Sequence, residues 1–450
     1  MGWNSLPDLS QRASSLFLIE AHQERTADMK IMIMTHAFPP MNVTASHRVY
    51  SWAKMWSESG HEVHVVTPEK HAFDGSMDLN YDIGDLNVHV VSYLRTKKRT
   101  EASGDRFQKQ NIERWERLKT YTRKFRFGMG MFMDLRMLAF GPLMRKGRQL
   151  LQNGGFDFII SSYPPEVVHL AASKLSSQYG IPWAADYRDL WFGEMRLFQY
   201  RFTTFISGII HRRLLRRAKA ISTVSKGLSK RLAGILNGSV TVSYNGFIEP
   251  QWEINSSRPW QDDKIHVVYT GRLYPKKRDP RTFLEALATF RDSEPRFADH
   301  IAIDFYGYDV LYVESIAEEC GLENCVTAHG FVPYDESLRI QRNAGGLLFL
   351  DWSEETAEGV LTGKLFEYLS SGRPILCVGT RKDSEAAEII LNAQCGVVLT
   401  SVEEIHSYLR ELLRGEPQET AGIEQVVSYS RENQAKILLE QITKSIRLPA

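Results

Sequence analysis

The strongest constraint on the fold is a repeated alternation of short apolar runs with helix-patterned stretches. KIMIMT at 30–35 leads into ASHRVYSWAKMWSESG, which has helical spacing, and then into HEVHVVTP. NVHVVSY, FDFIISSYPP, IPWAADYRD, KAISTVS and SVTVSYNG continue the series. Continuous apolar runs, rather than alternating ones, belong to parallel strands covered by helices on both faces. After the polar stretch SSRPWQDDK (256–264) the scheme starts again with IHVVYTGRL, IAIDFYGYD, CVTAHGFVP, GGLLFLDW, RPILCVGT and CGVVLT. The expected fold is therefore α/β, with two Rossmann-like, doubly wound parallel-sheet domains facing across a cleft. The domains are expected at 29–250 and 265–430, with a linker at 251–264. Apolar residues at helical spacing in SRENQAKILLEQITKSI predict a closing helix within 431–450, packing back on the N-terminal domain. A chain of 450 residues is longer than one core usually organises, in keeping with two. In such folds ligands bind between the carboxyl ends of the strands.

Composition narrows the functional classes. The 43% hydrophobic and 24% charged fractions are those of an ordinary globular protein, and no run approaches the ~18 apolar residues of a spanning helix. Residues 1–28 lack the basic and apolar regions of a secretory signal, and Leu6 spoils a myristoylation pattern. They are expected to be a dispensable N-terminal extension ahead of Met29. Cys320, Cys325, Cys377 and Cys395 fit no zinc spacing and are expected as free thiols in a reducing cytoplasm. Net charge is only +1, yet residues 95–148 hold 16 Lys/Arg against 5 Asp/Glu, and residues 196–219 hold 7 basic residues and no acid. Cations mixed with Phe, Met and Leu in these two segments point to an anionic membrane surface. No nucleic-acid recognition motif accompanies the charge, so nucleic acid is not an expected partner.

The chemistry concentrates in EGVLTGKLFEYLSSGRPIL (358–376), where a loop with two glycines and a lysine runs into a short helix. Free N–H groups at a helix start suit an anion, and Glu367 follows one turn in. In YTGRLYPKKRDPRTFLEAL (269–287), Arg272 and Lys277 flank a turn at a strand end. A guanidinium fork and an ammonium point charge together suit a diphosphate. The chain has no G-x-x-x-x-G-K-S/T loop, no G-x-G-x-x-G after KIMIMT, no H-E-x-x-H and no G-x-S-x-G. This sets aside P-loop nucleotidases, dinucleotide oxidoreductases, zinc proteases of that type and the usual hydrolase elbow. No metal ligand set and no cofactor are expected.

Taken in order, HAFPPMNVTASHRVYSWAKMWSESGHEVHVVTP, ISTVSKGLSKRL, YNGF, TGRLYPKK, HGFVPYDE and GKLFEYLSSGRPIL resemble GT-B fold glycosyltransferases, in particular glycosyltransferase family 4. The resemblance covers roughly residues 29 to 445 and implies a retaining, metal-independent transferase. Such an enzyme moves a sugar from a nucleotide-diphosphate sugar to a glycan or lipid-linked acceptor in surface polysaccharide or glycoconjugate biosynthesis. It also implies a cytoplasmic protein, peripheral at the inner face of the membrane. Arg272 and Lys277 match the family's diphosphate-binding pair, and Glu367 matches the second glutamate of its E-x7-E motif. Gly271 and the run Gly359, Val360, Leu361, Thr362, Gly363 and Lys364 would lie against donor sugar and phosphates. Phe331 and Val332 of HGFVP would border the base. Asp186, in ADYRDLW, sits where the family often places a cleft-facing histidine, with Arg188 and Asp189 as its neighbours in that role.

One departure concerns the motif's first glutamate. Gly359 occupies its place, and Glu358 misses the spacing by one. Two further readings stay open beside the transferase: a nucleotide-sugar 2-epimerase of the same fold, and a degenerate, non-catalytic nucleotide-sugar binder.

Overall fold

The computed structural model describes residues 28–94, 134–190, 201–236, 238–248, 260–273, 277–308, 310–351, 359–415 and 423–447. The extension before Asp28, most of the basic segment 95–148, residues 196–200, most of the linker and Glu358 lie outside the described residues.

The N-terminal sheet has seven strands: β1 (Lys30–Thr35), β2 (Glu62–Pro68), β3 (Asn87–Val91), β4 (Phe158–Tyr163), β5 (Trp183–Tyr187), β6 (Ala220–Thr223) and β7 (Thr241–Val242). Between and around them run α1 (Thr44–Glu58), α2 (Phe140–Gln152), α3 (Glu166–Tyr179), α4 (Arg201–Leu215) and α5 (Lys226–Leu236). The strand order is β3-β2-β1-β4-β5-β6-β7, and every pairing is parallel. β4 is buried along its whole length, as its continuous apolar and small residues require.

The second sheet comprises β8 (Ile265–Thr270), β9 (Ile301–Tyr306), β10 (Val326–Gly330), β11 (Gly346–Leu350), β12 (Ile375–Val378) and β13 (Gly396–Leu399). Its helices are α6 (Arg281–Ser293), α7 (Val310–Cys320), α8 (Tyr334–Asn343), α9 (Gly363–Ser371), α10 (Glu385–Asn392), α11 (Val402–Leu413) and α12 (Ile423–Val427). The order is β10-β9-β8-β11-β12-β13, again all parallel. The four cysteines lie in this half, unpaired, with Cys325, Cys377 and Cys395 buried.

The last helix, α13 (Arg431–Arg447), leaves the second sheet and packs on the first. Ala435, Leu438, Leu439 and Ile442 join the core formed by β1 and α1, and the Trp56 indole donates to the Ala435 carbonyl at 3.0 Å. A large apolar side chain contributes ~1.5–3 kcal/mol when fully buried, so these residues anchor α13 to the N-terminal half. No helix among the described residues is long and apolar enough to cross a membrane. Strand order reverses between β1 and β4 in one sheet and between β8 and β11 in the other. These reversals are the topological switch points, where crevices open at carboxyl ends.

Candidate functional site

The second switch point gathers the strongest chemistry. At the end of β8, Gly271 has φ +115°, and a Cβ placed there would stand 2.5 Å from Cε of Lys364. Glycine is thus required both by the backbone turn and by the close approach of the lysine stem. The Tyr269 hydroxyl donates to the Arg272 carbonyl at 2.8 Å and accepts from Lys364 Nζ at 2.5 Å. Burial, with Arg278 adding repulsion and Glu367 opposing it, brings the Lys364 ammonium down to about 7.

Lys364 sits in the first turn of α9, whose start carries no side-chain cap. The Thr362 hydroxyl is buried without a hydrogen-bond partner among the described residues. Glu367, one turn on, is half-buried. Burial raises its carboxyl above the usual range, against the pull of Arg431 and Lys364 and a hydrogen bond from Gln341. α9 ends at Gly372 in the left-handed region, and Pro374 then leads into β12.

Arg272 is exposed, with its guanidinium 5.0 Å from the centre of the Tyr308 ring. Lys277 is half-buried on the same turn. Phe331 is 65% exposed and lies beside Tyr308, ring centres 5.3 Å apart. The loop carrying it is pinned by His329, which bonds Asp304 at 2.6 Å and stacks on Tyr306 at 4.4 Å. Val332 is partly buried against the core of this half. The structure thus groups Gly271, Lys364 and Glu367 closely. Arg272 and Phe331 stand at the rim around Tyr308.

The glycine loop also meets the N-terminal half. Gly359 has φ +91°, and a Cβ there would fall 2.6 Å from the backbone nitrogen of Leu228. The Ser225 hydroxyl donates to the Gly359 carbonyl at 2.6 Å. Nearby, Glu385 accepts from the backbone nitrogens of Lys226 (2.5 Å) and Gly227 (3.1 Å) at the start of α5. Val360, Leu361 and Gly363 are half-buried. Gly363 faces Thr44, the first residue of α1, at 3.6 Å from its would-be Cβ. Two helix N-termini therefore converge on the loop.

Asp186 occupies a different setting from the cleft-facing one expected of it. It is 0% exposed, and its carboxylate accepts from Arg48 (2.9 Å), Ser162 (2.8 Å) and Ser222 (2.9 Å). Arg48 also donates to the Ser243 and Tyr244 carbonyls, both at 2.7 Å. This buried ion pair ties α1 to β5 and to the chain beyond β7. Arg188 is likewise engaged, donating to Ser162 and to the Pro164 carbonyl, each at 3.0 Å.

Residues that the sequence did not single out also face the cleft. His47, in the first turn of α1, shares a hydrogen bond with the Tyr81 hydroxyl at 2.6 Å. Burial, reinforced by the charge of Arg431, lowers it to about 4, so it is neutral at physiological pH. Tyr334 of α8 packs at 6.4 Å from the His47 ring. Arg431, at the start of α13, acts through its charge on His47, Tyr81, Tyr334 and Glu367. The one sequence signal was the polar pair His47-Arg48 inside an apolar helix pattern. Among the described residues no group of His, Cys, Asp and Glu side chains is arranged to hold a metal ion.

Comparison with known proteins bears on the whole frame. No curated protein sequence matches the chain. Its structure is similar to that of a sucrose-phosphate synthase from Thermosynechococcus elongatus, with a TM-score of 0.57, 12% identity, and coverage of 92% of this chain and 98% of that one. It is similar to HepE from Anabaena, solved in complex with UDP and glucose, at 0.54 and 16%, covering 92% and 100%. A putative UDP-N-acetylglucosamine 2-epimerase from Listeria monocytogenes aligns at 0.51 and 11%, covering 93% and 96%. At these identities the likeness establishes the fold. Residues 44–246 match the family model of the glycosyl transferase 4-like domain. With that domain-length match on a frame of two parallel-sheet domains, the chain has the GT-B fold and carries a segment similar to the glycosyl transferase 4-like domain.

Proposed function

We propose that the protein is a retaining, metal-independent transferase that moves a sugar from a nucleotide-diphosphate sugar to a glycan or lipid-linked acceptor. It would work at the cytoplasmic face of a membrane, in surface polysaccharide or glycoconjugate biosynthesis. The observation that carries this reading is the meeting of Lys364, the uncapped start of α9 and the Gly271 turn at one switch point. An unsatisfied helix N-terminus with a lysine poised near neutrality favours a diphosphate. Arg272 and Lys277 on the adjoining turn add positive charge where the leaving group develops its negative charge. Glu367, one turn into α9, would accept from a ribose hydroxyl of the bound nucleotide. HepE, of the same fold, has been solved with UDP and glucose.

In this reading the bond between the sugar's anomeric carbon and the diphosphate oxygen breaks. The acceptor oxygen bonds to the same face of that carbon, and its proton passes to the departing diphosphate. The protein's part is to hold both substrates in line and to stabilise the leaving anion. Lys364 and the N–H groups of α9 do so without a metal. Asp186 takes a positioning role, holding α1 through Arg48, and no side chain is needed as a base.

Thermal stabilisation by a panel of nucleoside diphosphates and nucleotide sugars tests the reading. A ligand that binds only the folded state adds about 2.7 kcal/mol at 100 times its dissociation constant. A shift with one base that is lost in Lys364→Met supports the site, and no shift with any nucleotide overturns it. Product analysis separates the remaining readings. Transfer or release of the sugar marks the transferase, inversion at C2 on the nucleotide marks the epimerase, and binding without turnover marks a binder.

A further inference from the structure

α4 (Arg201–Leu215) turns a polar stripe inward over its first turns, and only toward its end do Ile210, Leu214 and Leu215 reach the core. Thr203, Ser207 and His211, four residues apart along one stripe, face inward and are buried. His211 is 0% exposed and shares a hydrogen bond with the Tyr187 hydroxyl at 2.8 Å. The outward face carries Phe202 (55% exposed), Phe205 (69%), Ile206 and Ile209. A helix whose outer face meets only water shows the opposite arrangement. Beyond Ile209 come Arg212, Arg213, Arg216, Arg217 and Lys219, all exposed, and residues 201–219 contain no acid. Leu138 (56% exposed) and Phe140, at the entry to α2, add apolar surface on a segment that, like α4, packs around α3.

We infer that the outer face of α4 docks the protein on a bilayer containing anionic lipid. Phe205, Ile206 and Ile209 enter the acyl boundary, and the five cations after them lie among the lipid phosphates. The charge pattern selects this occupant. The apolar stripe needs a nonpolar partner, while a block of cations without a single acid needs many anions close by. A negatively charged lipid surface supplies both along α4 and the turn that follows it. The inference deepens the proposed reading by locating its membrane contact, and rests on that reading only for the lipid-linked acceptor.

Flotation of the full-length protein with phosphatidylcholine vesicles, with and without about one-third phosphatidylglycerol, tests it. The protein should float with the anionic vesicles and dissociate at about 1 M salt, where the screening length is about 3 Å. Phe205→Glu should weaken vesicle binding at least about tenfold, and so should Arg212→Gln combined with Arg213→Gln. Both variants alter exposed side chains, so an unchanged melting temperature is expected as a control. Failure to float, equal binding to neutral vesicles, or equal binding by Phe205→Glu would overturn the inference. So would a sedimentation shift from dimer to monomer in Phe205→Glu without vesicle binding, which would make the face a contact between copies of the chain. Vesicle binding is read without donor or transfer, so its failure is distinct from failure of the transferase reading.

Discussion

Lys364 places its Nζ 2.5 Å from the Tyr269 hydroxyl and 3.9 Å from the centre of the same ring, and that hydroxyl in turn holds the Arg272 carbonyl. The lysine is thus tied to the turn after β8, in a place where burial brings its ammonium down to about 7. A bound diphosphate would stabilise the protonated form. Nucleoside diphosphate binding at pH 8 should therefore take up a proton, and affinity should fall about tenfold per pH unit above neutrality. Calorimetry in buffers of different ionisation enthalpy reads this uptake, and Lys364→Met should abolish it. Uptake that persists in the variant would assign the proton to another group.

Free-protein stability has its own sign. An unfolded lysine keeps its proton to about 10.4, whereas folded Lys364 and Lys70 both lose theirs near about 7. Between those values the unfolded chain binds more protons, so these two lysines make stability rise with pH. Urea unfolding of Lys364→Met across pH 7 to 10, in units set by the roughly 7 and 10.4 limits above, should show a weaker rise than wild type.

Gly271 and Gly359 should fail differently when changed to alanine. Both sit at positive φ, +115° and +91°, so either alanine strains the backbone. At Gly271 the new Cβ also meets the flexible stem of Lys364, so the lysine is displaced and nucleotide affinity should fall at least about tenfold, ~1.4 kcal/mol. At Gly359 it meets the backbone of Leu228 at 2.6 Å, which cannot step aside. A cost of ~1–3 kcal/mol in unfolding free energy is expected there, with a lowered melting temperature even without ligand. Calorimetric scans with and without nucleotide distinguish the two.

Arg48 and Asp186 form a fully buried pair. Arg48→Met should cost ~3–5 kcal/mol in urea unfolding, because it leaves the carboxylate uncompensated. Asp186→Asn keeps the shape and should be destabilising too. A stable Asp186→Asn protein with lost turnover and intact donor binding would return the aspartate to the chemistry.

Arg272→Ala and Lys277→Ala should each weaken diphosphate nucleotide binding by ~1–3 kcal/mol, the usual range for charge-assisted contacts. Fold stability should hold, because Arg272 is exposed and Lys277 half-buried on a loop. Titration of either variant at wild-type affinity would remove that residue from the site.

What the sequence by itself determined was local. Continuous apolar runs such as KIMIMT and FIISSY could satisfy their burial only inside parallel sheets, and the glycines and lysine of 359–364 marked a helix start open to an anion. Both features rest on neighbours within a few residues, and periodicity reports them directly. The tertiary structure decided which charges lose their water. Asp186 read as open to a cleft, yet Arg48, 138 residues away, closes over it. His47 meets Tyr81, 34 residues on, and Arg431 reaches the cleft only because α13 crosses back to α1. The inward polar stripe of α4, Thr203, Ser207 and His211, was hidden for the same reason. A helical pattern shows two faces, and only the elements packed against it settle which one turns inward. Desolvation and charge pairing depend on distances between residues far apart in the chain, and those distances exist only in the folded molecule.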